Sequence, residues 1–290
     1  MQPDTYPRKT EGGPLVLGAS GKVGKLLYSL WVKGLWQING TPVWQYRSVP
    51  NDIRAAGHRV WESEINHSVV PPDGIGSVIC LAGIVAGSQD ELQFNTDIAL
   101  SAKEIARKAG NVPLLVASSQ AVYGSGVCAM SEDTSCAPLS PYGISKFNME
   151  RELRSYDKTC CLRLGNIAGA DQLFSSIEKG HVVMDKFLNG EGPQRAYIGP
   201  RYFCDVLANL LMQRELPPVL NVAEPGLKRM EDILSYLGTR WTWRKASSDA
   251  LYRLELDLSL LDSLISLRST TVADLICDLK NAGWEYDATI

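Results

Sequence analysis

Through its first two thirds the 290-residue chain alternates short apolar runs with longer stretches of helical period, and few folds accept that rhythm. PLVLGAS reads as a buried strand and GKVGKLLYSLWVKG as the helix after it; PVWQYRS and GSVICLAG are further strands. ELQFNTDIALSAKEIARKAG is a long amphipathic helix closed by Gly110, VPLLVASSQ a strand, SPYGISKFNMERELRSY a helix and TCCLRLGN a strand again. Such units cross over right-handed, which predicts an α/β protein built on a doubly wound parallel sheet with helices on both faces. After Gly169 the rhythm breaks. GPQRAYIGPRYF reads as a loop, DVLANLLMQR as a helix and PPVLNVAEPG as a late strand. MEDILSYLG and VADLICDLKNAG are helical around a RLELDLSLL run, so a smaller lobe is expected to cap the sheet.

At a formal net charge of −3 the chain has no basic field to draw in nucleic acid or an acidic membrane. An anionic ligand must then be held locally. The longest apolar runs are cut by charges such as Lys25 and Lys33 short of a membrane span, and MQPDTYPRKTEGG has no apolar core for a signal peptide. Seven scattered cysteines without a C-x-x-C pair point to reduced thiols and a cytoplasmic setting. His58, His67 and His181 show no ligand spacing, and no metal is expected.

LVLGASGKVGK places Gly18, Gly21 and Gly24 between the first strand and the first helix, with Ser20, Lys22 and Val23 among them. Glycine there permits a tight turn and lets backbone amides approach a pyrophosphate resting at the helix N-terminus. Residues 10–168 are therefore read as a Rossmann-like NAD(P)-binding domain, its sheet completed by about 196–225. Residues 169–195 and 226–290 form the smaller lobe in this reading. The second strand ends in Arg47 and Ser48, where an acid would hold the ribose of NAD. A carboxylate repels a 2′-phosphate and arginine grips it, which favours NADP(H). NAD(H) stays open if Arg47 is only a solvated strand-end charge and Asp52 or another acid reaches in.

SPYGISK sets Tyr142 and Lys146 one helical turn apart, behind Ser140 as N-cap and Pro141 in the first turn. An ordinary tyrosine is a poor base near neutral pH, but a neighbouring ammonium and an oxidised nicotinamide favour its phenolate. Lowering its pKa by about 3 units takes about 4 kcal/mol of such stabilisation. ASSQAVYG ends a sheet strand in Ser118 and Ser119, where a hydroxyl can hold a substrate oxygen. Alone, Y-x-x-x-K is a common helix start. Behind a sheet-end serine pair and a glycine-rich first turn, it points to proton transfer.

These motifs together resemble the extended short-chain dehydrogenase/reductases, in the branch of nucleotide-sugar epimerases, dehydratases and reductases. The resemblance spans nearly the whole chain and is strongest from Leu15 to Ala170. GASGKVG resembles the family's G-x-x-G-x-x-G, SSQAVYG its serine strand, YGISK its Y-x-x-x-K and LRLGNIAGA its R-x-x-N-x-x-G segment. The resemblance implies Ser119, Tyr142 and Lys146 as catalytic residues. Tyr142 would exchange the hydroxyl proton while hydride moves to or from the nicotinamide, Lys146 would hold the nicotinamide ribose, and Ser119 the reacting oxygen. It also implies a cofactor site of Gly18, Ser20, Gly21, Lys22, Val23, Gly24, Leu81, Ala82, Gly83, Asn95 and Ser118, with Arg47, Tyr142 and Lys146. Ser119, Gln120 and Asn166 would meet the substrate, Asn166 at a diphosphate.

Three departures stand out. Cys80 replaces the family's histidine in CLAG, and the arginine segment is distorted into QRAYIGPRYFCDVLANLL, so that either Arg195 or Arg201 would bind substrate phosphate. SSQAVYG also lacks the Asp-Glu pair of similar dehydratases, which leaves an epimerase or reductase of a nucleotide sugar as the expected enzyme. The alternatives are an NADPH-dependent reductase of a non-nucleotide ketone or aldehyde, and a catalytically silent dinucleotide sensor. The two long helices resemble the family's four-helix dimer interface, which implies a homodimer.

Overall fold

The computed structural model describes residues 12–125 and 129–286. Cys128 and most of the N-terminal stretch considered as a signal peptide lie outside them. The strands are β1 (Gly13–Leu17), β2 (Val43–Tyr46), β3 (Val60–Glu62), β4 (Ile75–Cys80), β5 (Leu114–Ser119), β6 (Thr159–Leu164) and β7 (Asn166–Ile167). They continue with β8 (Val183–Lys186), β9 (Gln194–Ile198), β10 (Val219–Val222), β11 (Leu227–Arg229), β12 (Thr242–Lys245) and β13 (Arg253–Leu254). The helices are α1 (Lys22–Val32), α2 (Asn51–Ala55), α3 (Gln89–Lys108), α4 (Pro141–Leu153), α5 (Gln172–Glu178), α6 (Pro200–Leu211), α7 (Met230–Leu237), α8 (Ser259–Leu264) and α9 (Val272–Asn281).

Seven strands form one sheet in the order β10-β6-β5-β4-β1-β2-β3, and every neighbouring pair is parallel. The chain runs outward from β1 through β2 to β3, then returns to β4 and runs the other way. That reversal opens a crevice beyond the carboxyl ends of β1 and β4, where ligands of such sheets bind. Burial follows the period of two. Leu15, Leu17, Val78, Cys80, Val116 and Cys161 pack with Ala102, Ile105 and Met149 of α3 and α4. Val16, Ile79, Leu115 and Leu162 pack on the opposite face with Leu27, Phe203, Leu207 and Leu279 of α1, α6 and α9. Strands covered on both faces read as the continuous apolar runs seen in the sequence.

The helix ends are chemically marked. Ser88 and Glu91 close a capping box at the start of α3, and Ser140 accepts the Gly143 N–H at 3.1 Å at the start of α4.

Two expectations change. The segment read as a loop contains β9, the centre of a small sheet that pairs with β7, β11 and β13. Glycine and proline at both ends, Gly192-Pro193 and Gly199-Pro200, mask a strand whose Ala196, Tyr197 and Ile198 are buried. Within 196–225, β10 lies at the edge of the large sheet beside β6, whereas Ala196–Ile198 lies in β9 of the small sheet. The edge strand β3 was not anticipated. Among the described residues no helix is long and apolar enough to cross a membrane.

Candidate active site

The glycine turn joins β1 to α1 under steric constraints that only glycine meets. Gly18 has φ +88°, and a Cβ there would lie 2.7 Å from the Ala82 backbone nitrogen. A Cβ on Gly24 would lie 2.4 Å from the Gly18 carbonyl, so the helix seats directly on the turn. Gly21 supplies the N-cap of α1 without a side-chain hydrogen bond. Gly83, at the end of the β4 loop, has Asn95 Oδ1 and Lys146 Nζ at 2.8 and 3.1 Å from where its Cβ would be. Backbone thus approaches backbone closely at the base of the crevice.

A cavity of about 310 Å³ fills that crevice, with Gly18, Ser20, Gly21, Arg47, Leu81, Ala82 and Gly83 in its wall. Arg47 is exposed there and forms no salt bridge among the described residues. Sequence reasoning missed five other members, Gln45, Glu64, Ile65, Ile84 and Ile98. Glu64 and Ile65, just past β3, line the same cavity. Buried Gln45 accepts the Gly18 N–H at 3.0 Å and donates to the Ser63 carbonyl at 2.6 Å, which locks the turn to the end of β3. A buried glutamine in an apolar strand was the available signal.

Three expected cofactor residues are committed elsewhere. Lys22 donates its ammonium to Ser175 Oγ at 2.8 Å and Glu178 at 3.3 Å, tying α1 to α5. Val23 is half-buried against the core. Asn95 spends its side chain on the backbone of Ile84, at 2.9 Å in both directions, and on Ser145 Oγ at 3.0 Å. It pins the β4 loop to α4 and braces Gly83.

The α4 helix brings Tyr142 and Lys146 to the end of β5. Tyr142 is half-buried beside Ser119, and burial pushes its phenol up while the Ser119 hydroxyl draws it part of the way back. Lys146 is buried and donates to the Ala117 carbonyl at 2.9 Å instead of to the phenol. Burial lowers its ammonium, with Cys80, Cys161 and Glu150 acting in the opposite sense. The expected ammonium–phenol pairing is therefore replaced by one in which burial governs both groups. Ser118 also departs from expectation. Alternation along β5 turns it away from Ser119, and its hydroxyl donates to Glu150 inside a buried network.

A second cavity, about 270 Å³, lies among β7, α5, β8 and β9, with Asn166, Asp171, Asp185 and Arg195 in its wall. Gln120 donates to Asn166 Oδ1 at 2.8 Å, and Asn166 donates to Asp171 at 2.8 Å. Arg195 has no carboxylate in hydrogen-bond reach and donates to the carbonyls of Gln194, Leu251 and Tyr252. Burial lowers it, with Tyr197 and Asp185 acting in the opposite sense. Arg201 sits in the first turn of α6, near Asp205 and Asp278, and does not line this cavity. Of the two candidate arginines, the topology brings only Arg195 to Asn166.

A family model described as the NAD dependent epimerase/dehydratase family matches residues 15–198. No curated relative matches the sequence. The fold is similar to UDP-N-acetylglucosamine 4-epimerase from Methanobrevibacter ruminantium, at 17% identity, TM-score 0.73, and 95% and 98% coverage of the two chains. It is similar to MoeE5 in complex with UDP-glucuronic acid and NAD, at 20% identity, TM-score 0.72, and 93% and 100% coverage. It is also similar to the dTDP-glucose 4,6-dehydratase of Streptomyces venezuelae with NAD bound, at 16% identity, TM-score 0.72, and 93% and 96% coverage.

Proposed function

We propose that this chain, which belongs to the NAD dependent epimerase/dehydratase family, is an epimerase or reductase acting at a secondary alcohol or ketone of a nucleotide sugar. The observation that carries the reading is the meeting of Tyr142 and Ser119 at the end of β5, with Lys146 buried against Gly83 at the wall of the first cavity. The dinucleotide, when bound, supplies hydride exchange. Gly18, Gly21 and Gly83 fit its approach, Tyr142 moves the hydroxyl proton, Ser119 holds the reacting oxygen, and Lys146 fixes the nearby ribose. Gln120 stands where an acid would be needed for elimination of water, which supports epimerase or reductase over dehydratase. Arg195, which shares a cavity wall with Asn166 and pairs with backbone carbonyls, supports an anionic substrate such as a nucleoside diphosphate. Screening UDP- and dTDP-sugars by nicotinamide absorbance, and by NMR for epimers, tests the reading; turnover of simple ketones alone would overturn the nucleotide part of it.

Arg47 supports NADP(H) as the cofactor, while Glu64 in the same cavity is the acid that would serve NAD(H). NADPH is expected to bind more tightly than NADH, and Arg47→Asp to reverse that order through the loss of about 1.5–3 kcal/mol. Fluorescence titrations giving the wild-type protein equal affinity for both would reject this choice. The α3 and α4 helices, which leave Phe94 and Ile144 54% and 44% exposed, support a homodimer. Light scattering at micromolar concentration is expected to give twice the 31.8 kDa chain mass; a monomer mass would rule the dimer out. Buried, unpaired Cys80, Cys160, Cys161 and Cys204 support a reducing, cytoplasmic setting.

A further inference from the structure

Between the serine strand and the lobe, four side chains share one line of hydrogen bonds whose direction is set at one end. Asp171 is that end. Its Oδ1 accepts the Phe174 N–H at 3.0 Å as the cap of α5, and its Oδ2 accepts from Asn166 Nδ2 at 2.8 Å and the Tyr197 hydroxyl at 2.7 Å. An ionised carboxylate only accepts. Asn166 must therefore turn its amide nitrogen to Asp171 and its carbonyl away, and that carbonyl accepts from Gln120 Nε2 at 2.8 Å. Gln120 is left with Oε1 buried and without a partner, one residue from Ser119. A buried acceptor with no donor is uncommon in a folded protein, and here it is the cost of the direction that Asp171 sets.

We propose that Asp171 is a positioning residue: it fixes the carboxamides of Asn166 and Gln120 as one coupled unit, so that Asn166 meets a substrate in a single orientation at the cavity wall it shares with Asp171. The inference rests on the reading of Asn166 as a substrate-binding residue. The orientation lasts only while Asp171 accepts from both neighbours. A proton on Oδ2 would make it a donor, release Asn166 to flip, and Gln120 with it. Burial pushes the Asp171 carboxyl up, while the Phe174 N–H, Tyr197, Asn166 and Lys22 draw it back. The remaining charges nearby are Glu178 of α5, paired with Lys22, and Asp185 and Arg195 across the shared cavity. Substrate affinity is thus expected to fall as pH drops through the titration of Asp171.

The side-chain amides report the relay directly. In ligand-free protein carrying nitrogen-15 in asparagine and glutamine, the Gln120 and Asn166 amide signals are expected to shift together, with one inflection above the ordinary aspartate range. Tyr197→Phe removes one donor to the carboxylate and keeps the helix cap, so the inflection should move up. Asp171→Asn, which can donate, should abolish it and lower kcat/KM by about 100-fold on any nucleotide sugar that is turned over, with NADPH affinity unchanged. Amide signals that shift independently, or an inflection indifferent to Tyr197→Phe, would overturn the proposal. The titration needs no substrate. If UDP and dTDP fail to bind wild-type protein while the coupled shift appears, the nucleotide-sugar reading fails and the role of Asp171 stands.

Discussion

Tyr142→Phe is expected to lower turnover by about 10²–10⁴-fold while folding and dinucleotide binding persist. The substitution keeps the ring and removes only the transferable proton, and the one polar neighbour it deprives is the Ser119 hydroxyl. Because burial holds the phenol protonated, reduction should stay flat through neutral pH and decline only in the alkaline range. Oxidation, which needs the ionised phenol, should rise with pH, and the phenylalanine variant should lose both limbs. Lys146→Met should cut turnover and also weaken dinucleotide binding, since the ammonium sits beside Gly83 and holds the Ala117 carbonyl at 2.9 Å. Ser119→Ala has no understudy: Ser118 is committed to Glu150, so only water can replace the lost hydroxyl, and a loss of about tenfold is expected. Steady-state rates across pH, paired with dinucleotide titrations, check all three. Full activity in Tyr142→Phe would reduce the phenol to a helix-start residue.

The parts of this site that could be read in the sequence are those held by local chemistry. Gly18, Gly21 and Gly24 serve one turn, and Tyr142 and Lys146 one helix face, so spacing alone places them. The parts that could not be read depend on pairings between distant elements. Gln45 reaches back 27 residues to Gly18, and Glu132 accepts the Asn221 N–H across 89 residues. Asp171 gains its role only because β9 brings Tyr197 beside it, and β9 itself was hidden between glycine-proline pairs. Arg195 and Arg201 are equivalent on paper; the fold separates them by placing one on a strand and the other on a helix. Ser118 and Ser119 likewise look interchangeable until alternation along β5 sends them to different partners.

Glu150→Gln is expected to destabilise the fold by about 3–5 kcal/mol, on the order of a 10 °C fall in melting temperature. Glu150 lies one turn beyond Lys146 on α4, and its carboxylate takes Arg163 Nη2 at 2.8 Å and Nε at 3.1 Å, with both side chains under 7% exposed. Arg163 also donates to the Tyr123 hydroxyl at 2.9 Å, and that hydroxyl donates to Asn221 at 2.6 Å. Neutralising Glu150 would leave a guanidinium buried without a counter-charge, which costs more than the pair itself contributes. Glu150→Met combined with Arg163→Met should therefore recover much of the loss, because no charge is then stranded. Calorimetry on Glu150→Gln and on the double variant separates the stranded charge from the pair itself. A fall of less than about 1 kcal/mol in Glu150→Gln would mean that water reaches Arg163 and the network is not closed. If the network is closed, it also helps to keep Tyr142 in place: the pair of Glu150 on α4 and Arg163 on β6 ties the helix that carries the phenol to the sheet.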